Sequence, residues 1–239
     1  SHYRIRRIDP KNGKVETVAG NGVKLFAGDG GPATGATLSF PHGMSMDKKD
    51  NLIFSDKGHF RIRRITPEGI INTIGGNGIR GNVGDNIPAL EANFYNVTTI
   101  AQNPKGDMYM SSPSGFVSLI RKLDAKGFVH DFMDTASPKY LESIKKSKYK
   151  GLVQTGAVAT ITQFSDIVFD PKGNLFISDR LNHQIRKIDT EGNISTIAGT
   201  GDSDHDGDGG PALEATFRDP NSLASDKDGN IYVADMANN

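Results

Sequence analysis

The feature that most constrains this chain is internal repetition, because one ordered set of short motifs returns along nearly its whole length. The run DKKDNLIFSD at 47–56 returns as DPKGNLFISD at 170–179, as DKDGNIYVAD at 226–235 and more loosely as NPKGDMYMSS at 103–112. An Ile-Arg element follows each of the first three in chain order, at 62–65, 120–123 and 185–188, and opens the chain at 5–8. A Thr-Ile/Val-Gly/Ala-Gly run comes third, at 17–22, 73–78 and 196–201. The cycle ends in a loop whose last residues are GDGGPA at 28–33 and 207–212, or GDNIPA at 84–89.

Each unit carries four short apolar runs separated by turn residues, and four strands per unit is the blade of a β-propeller. The Lys-Gly-Asn and Glu-Gly-Asn triplets are hairpin turns in which glycine supplies the left-handed residue. The Ile-Arg-Arg-Ile run predicts a strand near the outer side of a blade, with one face packed and one wet, and its arginines are read as structural.

This pattern resembles the NHL repeat family, in the long-loop bacterial form with a Gly-Asp-Gly-Gly-Pro-Ala signature between blades. The resemblance covers nearly the whole chain and implies an all-β propeller of four-stranded antiparallel blades. Blades are expected at 41–96, 97–164 and 165–219, with a composite closing blade made from 220–239 and 1–40. The motif phase at the two ends predicts a four-bladed ring closed by pairing N- and C-terminal strands, which removes exposed sheet edges. The alternative is part of the six-bladed ring usual in the resembling family. The second unit lacks the loop signature and holds Ser137-Pro138 before Leu141 and Ile144, which predicts a short helix near 138–148.

Composition removes several function classes. The 239 residues carry 28 Lys and Arg against 28 Asp and Glu, so no long-range field draws in nucleic acid or an anionic membrane. No apolar run approaches the ~20 residues that cross a bilayer, so no membrane insertion is expected. The absence of cysteine removes disulfides and thiolate chemistry and leaves the compartment open. A bacterial periplasm, cell surface or secreted setting is the expectation, and a cytosol is compatible. No signal peptide is visible ahead of Ser1, which means that one was removed or never existed.

Candidate sites lie where the repeat varies. Aligning the first strands of the blades places His42, Thr98, Ser165 and Asn221 at one polar position, which family geometry puts at the mouth of the central channel. They are the candidate ligand contacts, and the competing role is bonding to water or neighbouring backbone. A second ring, Asp56, Ser112, Asp179 and Asp235, is expected to accept hydrogen bonds from backbone donors in the following loop. The loop Asp202-Ser203-Asp204-His205-Asp206-Gly207-Asp208 alternates oxygen ligands as in the first half of a calcium loop. Asp202, Asp204, Asp206 and Asp208 are therefore candidate calcium ligands, though Glu214 arrives one place late for an EF-hand. No cofactor is required by any motif, and calcium is the one ion the sequence suggests.

Propeller lyases similar to the NHL family use histidine-bound zinc at the channel. Here only His42 maps there, and zinc catalysis needs about three protein ligands. The expectation is a binding or scaffolding module offering a loop-rich face to a protein, peptide or glycan. The alternative is a lyase or hydrolase at the channel mouth, with His42 as acid or base.

Overall fold

The computed structural model describes residues 3–114, 117–134, 161 and 163–238. The helix expected near 138–148 lies outside them. All the regular elements are β-strands and single 3₁₀ turns, and no α-helix occurs among the described residues. β1 (Ile5–Ile8) and β2 (Val15–Ala19) form a two-stranded sheet. β3 (Pro41–Met46), β4 (Leu52–Asp56), β5 (Arg61–Ile65) and β6 (Ile71–Gly75) form a four-stranded antiparallel sheet in chain order. β7 (Ile87–Pro88) joins a five-stranded sheet with β8 (Thr99–Gln102), β9 (Met108–Ser114), β10 (Val117–Leu123) and β11 (Phe128–Asp134). β12 (Phe164–Phe169), β13 (Leu175–Asp179), β14 (Gln184–Ile188) and β15 (Ile194–Ala198) make another four-stranded sheet. β16 (Pro220–Ser225) and β17 (Ile231–Asp235) close the list as a pair.

Three blades are thus complete, and the composite closing blade corresponds to two separate two-stranded sheets, β1–β2 and β16–β17. Tyr3 at φ 41° holds the place of Phe60 at 55° and His183 at 53°, while Asn238 bonds Asp235 as Asn182 bonds Asp179.

The hairpin between the first two strands of a blade is built by its leading Asp. Asp47 Oδ1 accepts from the N–H groups of Lys49 and Asn51, and its Oδ2 accepts from the Asn51 amide. The same three bonds recur around Asp170 and Asp226. The left-handed position falls on Gly173 and Gly229, and Asp50 takes it at φ 58° in the first copy. Hydrogen bonds from Asn230 and Asn193 hold the Asp226 and Asp189 carboxyls below the usual carboxylate range.

The inter-blade loops act as straps. In the first, Gly30 N–H donates to Ile71 C=O, Ile71 N–H to Gly31 C=O and Ala33 N–H to Gly69 C=O, so the loop forms a short extra ladder on β6. The second loop does the same through β7, with Ile87 opposite Val129 and Pro88 opposite Phe128. Each strap fills the outer edge of the next blade, the edge that would otherwise offer unpaired groups to another chain.

The chain divides into two compact units, residues 1–100 with 122–130, and 101–121 with 131–239. The first has a core of Ile5, Ala19, Ala33, Ala36, Leu38, Phe54, Ile65 and Ile71. The second packs Tyr109, Ile120, Met133, Phe164, Ile167, Leu175 and Ile177.

The wet face expected of this strand holds at 5–8, where Arg6 is exposed, and not in the complete blades, where Arg63 and Arg121 are 0% exposed and Arg186 is 1% exposed. For Arg63 and Arg121 the reason is acidic partners that the strand itself does not contain. Arg63 Nη1 donates to Asp56 at 3.1 Å and Nη2 to Asp29 of the strap at 2.8 Å, while Thr73 Oγ1 donates to the other Asp29 oxygen at 2.7 Å. In the next blade Ser112 replaces the carboxylate, and Arg121 Nε donates instead to Asp131 on β11 at 2.9 Å.

Candidate functional site

The second ring serves the scaffold, with one difference from expectation. Asp56 Oδ1 accepts from the N–H of Ser39, and Asp235 Oδ1 from that of Arg218, both in the loop before the blade's first strand rather than after its second. A side chain three residues on completes the clamp: His59 Nδ1 on Asp56, Asn182 on Asp179 and Asn238 on Asp235. Burial pushes the Asp179 carboxyl up to about 6, against opposing help from the Asn182 amide and the Arg186 charge. Arg186 Nη1 donates to Gln184, so this carboxylate lacks the direct guanidinium bond that Asp56 receives from Arg63.

Three of the four first-strand positions share a local geometry, and Thr98 stands just before β8. The ladder register shifts between His42 and Met44, between Phe164 and Ile167, and between Pro220 and Leu223, so His42, Ser165 and Asn221 each stand at a bulge. Bulges re-aim side chains and are frequent beside binding sites. His42 and Thr98 belong to the first unit, Ser165 and Asn221 to the second. His42 is exposed, and its Nδ1 donates to the Thr98 carbonyl at 2.8 Å. The equivalent carbonyl of Asn221 accepts instead from Ser178 Oγ at 2.8 Å, and the Asn221 amide reaches Met236 Sδ at 3.0 Å. Backbone at this position therefore ties neighbouring strands together. Gly43 permits the approach of β3 to the next blade, since a Cβ there would lie 2.4 Å from the Thr98 oxygen.

His42 also lines a pocket of about 420 Å³ within the first unit, with Phe40, Pro41, Lys57, Gly58, Phe60, Arg80, Tyr95 and Asn96 around it. Its Nε2 has no hydrogen-bond partner among the described residues. Three of the lining residues, Phe40, Phe60 and Asn96, hold left-handed backbone at φ 49°, 55° and 51°. The repeat holds the same backbone at His183 and Asp219, so this conformation belongs to the blade turns and is not particular to the pocket. Arg80 lies 4.4 Å over the Tyr95 ring and donates to its hydroxyl at 3.0 Å. Phe40 packs edge-on to Tyr3 with 5.3 Å between centroids. The pocket joins three stretches of sequence, 40–42, 57–60 and the loop residues 80 and 95–96, and only His42 was picked out by the repeat alignment. The signal that could have found the others is a departure from the repeat at Gly58 and Asn96, where the third blade has Leu181 and Asp219.

The four aspartates of the acidic loop are exposed and do not gather into a group able to hold a metal. Asp204 Oδ1 turns back onto His205, meeting its N–H and its Nδ1, each at 2.9 Å, and Asp202 meets Thr200. Asp208 falls at the position of Asp29, the strap residue that bonds Arg63.

The fold and this arrangement define a class, the β-propeller built of four-stranded antiparallel blades. No family model matches the chain. Among curated proteins it is similar to human teneurin-4, with 29% identity over 247 residues that cover 93% of this chain and 9% of that protein. It is also similar to the Arabidopsis thaliana protein SUPPRESSOR OF QUENCHING 1, chloroplastic, at 25% over 242 residues, covering 99% of this chain and 22% of that one. The chain thus spans a small part of these relatives' length. Among solved structures, a catalytically inactive virginiamycin B lyase from Staphylococcus aureus with quinupristin matches with a TM-score of 0.54 at 13% identity, covering 99% of this chain and 57% of that one. At that identity the likeness shows the fold alone.

Proposed function

We propose that this chain is a binding module of the NHL propeller type, which takes its ligand on the face where first strands start and inter-blade loops converge. The observation that carries this reading is the aromatic-walled pocket beside His42, in a molecule whose other repeated Asp and Arg side chains are used to hold blades together. A ligand from the protein, peptide or glycan class is the expected occupant, and an extracytoplasmic setting suits such a module. No helix among the described residues is long and apolar enough to cross a membrane. A thermal-shift screen of glycans and peptides tests the reading, with Tyr95→Ala as control. Hits that stabilise the native chain and fail on the variant, whose own melting temperature is preserved, support it. A screen without hits, alongside turnover of some substrate, overturns it.

The second reading is a lyase or hydrolase, favoured by one observation. With Nδ1–H donated to the Thr98 carbonyl, His42 is held in the tautomer that leaves Nε2 free to accept a proton. It predicts an activity that His42→Ala abolishes without altering the fold. Calcium at Asp202, Asp204, Asp206 and Asp208 is tested separately by melting with calcium and then chelator. As these carboxylates are arranged, the melting temperature is expected to stay constant, and an upward shift that chelator reverses would restore the site.

A further inference from the structure

The inter-blade loops share a frame and differ at their tips. Residues 21–27 read NGVKLFA and residues 77–83 read NGIRGNV, while the later copy at 200–206 reads TGDSDHD. The first two pair an apolar residue with a cation, Val23-Lys24 and Ile79-Arg80, and hold no acid, whereas the third holds three aspartates and no lysine or arginine. One brace sets both apolar tips. The Val23 N–H donates to Asn21 Oδ1 and the Ile79 N–H to Asn77 Oδ1, while Arg4 and Arg61 donate to the Asn21 and Asn77 carbonyls. The two tips are linked, because His59 Nε2 holds the Lys24 carbonyl, and Arg61, which lies 3.8 Å over Phe26, reaches Asn77. Leu25 is 74% exposed, Val83 71% and Ile79 62%. The cations beside them are fixed by rings and not neutralised. Lys24 Nζ stands 5.0 Å over Tyr3 and 5.5 Å over Phe40, and Arg80 stands 4.4 Å over Tyr95. Neither of them, nor half-buried Lys57, forms an ion pair among the described residues. The unit that carries them, residues 1–100 with 122–130, holds 15 Lys and Arg against 10 Asp and Glu.

Resting on the binding-module reading, we infer that these two loop tips and the adjoining pocket form one surface for an acidic peptide that carries apolar side chains among its carboxylates. The pocket is continuous with the tips, since Arg80 lines it and its Phe40 lies under Lys24. Peptide carboxylates meet Lys24, Arg80 and Lys57 in charge-assisted contacts that no described acid of the protein makes. The rings that hold Lys24 and Arg80 in place reduce the ordering cost of those contacts. Apolar side chains of the peptide cover Leu25, Ile79 and Val83, which stand in water in the free chain. The positive excess of the unit draws an acidic partner in and turns a basic one away. A lipid surface is flat and meets the tips without entering the pocket lined by Lys57, so the recess favours a peptide.

The test is calorimetric titration of the whole chain with three synthetic peptides of equal length, repeats of Asp-Asp-Leu-Leu, Asp-Asp-Ser-Ser and Lys-Lys-Leu-Leu. The acidic leucine peptide should bind at least about tenfold more tightly than either of the others, and raising salt from about 50 to about 500 mM should weaken it about tenfold. A chain carrying both Lys24→Gln and Lys57→Gln should lose about tenfold for it, and Leu25→Ser should narrow its advantage over the serine peptide. Binding of the lysine peptide as tightly as the acidic one, or a double variant that binds as wild type does, overturns the acid preference and leaves the binding-module reading standing. Equal binding of the serine and leucine peptides overturns the role of the apolar tips. Anionic phosphatidylserine vesicles that capture the chain while no peptide binds reassign the surface to lipid and overturn the peptide. Self-association that Asp204→Asn abolishes would place a second copy's acidic loop on the surface and overturn a foreign peptide as its occupant. No binding to any of these probes while the broad screen finds hits elsewhere overturns the inference, and a screen without any hit removes the reading beneath it.

Discussion

Asp29 illustrates how a single side chain carries the joint between blades. Its two oxygens accept from Arg63 and Thr73, and Arg63 has no solvent to fall back on. Asp29→Ala is expected to cost about 1–3 kcal/mol, since a buried guanidinium loses a charged acceptor. Chemical denaturation measures it, and Thr73→Val should cost less because it removes only one neutral donor. Asp179 gives a pH signature. Its folded carboxyl titrates near 6 against an unfolded value near 4, so the folded state binds the proton more tightly. Its stability contribution is present below about pH 4 and is lost as pH rises to about 6. A melting series over that interval should show the fall, and Asp179→Asn should flatten it. The hairpin aspartates were legible in sequence because Asx bonding is local, within four residues of Asp47, Asp170 and Asp226. The structural use of the arginines was legible from their repetition and their burial was not, because the partner of Arg63 stands 34 positions away in another loop. Alternation of Ile and Arg reads as a half-wet strand until that carboxylate is known.

Among elements, the inter-blade strap is the distinctive one. It leaves a finished blade, crosses, and adds a short rung to the outer strand of the next. Gly28 sets its course at φ 100°, where a Cβ would meet the Ala36 Cα at 2.6 Å, and Gly207 repeats the approach to Ala215 at 2.5 Å. Gly28→Ala should therefore cost well over about 1 kcal/mol. Gly30→Ala is the control, because its Cβ would point into open space and only the φ of 79° is strained. The strap was recognisable as a signature in sequence, and its use was not. A Gly-Asp-Gly-Gly-Pro-Ala run next to alternating acids looks like an ion loop when read alone. Its first copy instead delivers its aspartate to an arginine, and Asp208 in the later copy holds the same position.

At the scale of the whole chain, the repeat made the blade architecture legible, since each blade's four strands are spelled in the same order with the same turns. The closing blade was inferred from motif phase, and phase says which strands are missing from a blade without saying which strands supply them. Here they stand as two-stranded sheets at either end. The pocket was the least legible part, because its walls come from three separate stretches and its chemistry is defined by two departures from the repeat. The proposed function requires that a ligand be recognised in this pocket and not on the strap-covered outer strands. Backbone amide shifts, mapped while the best ligand from the screen is titrated, separate the two. Perturbations are expected to concentrate at residues 40–42, 57–60, 80 and 95–96. Perturbations confined to the outer strands or to residues 202–208, with the pocket amides unmoved, would contradict it.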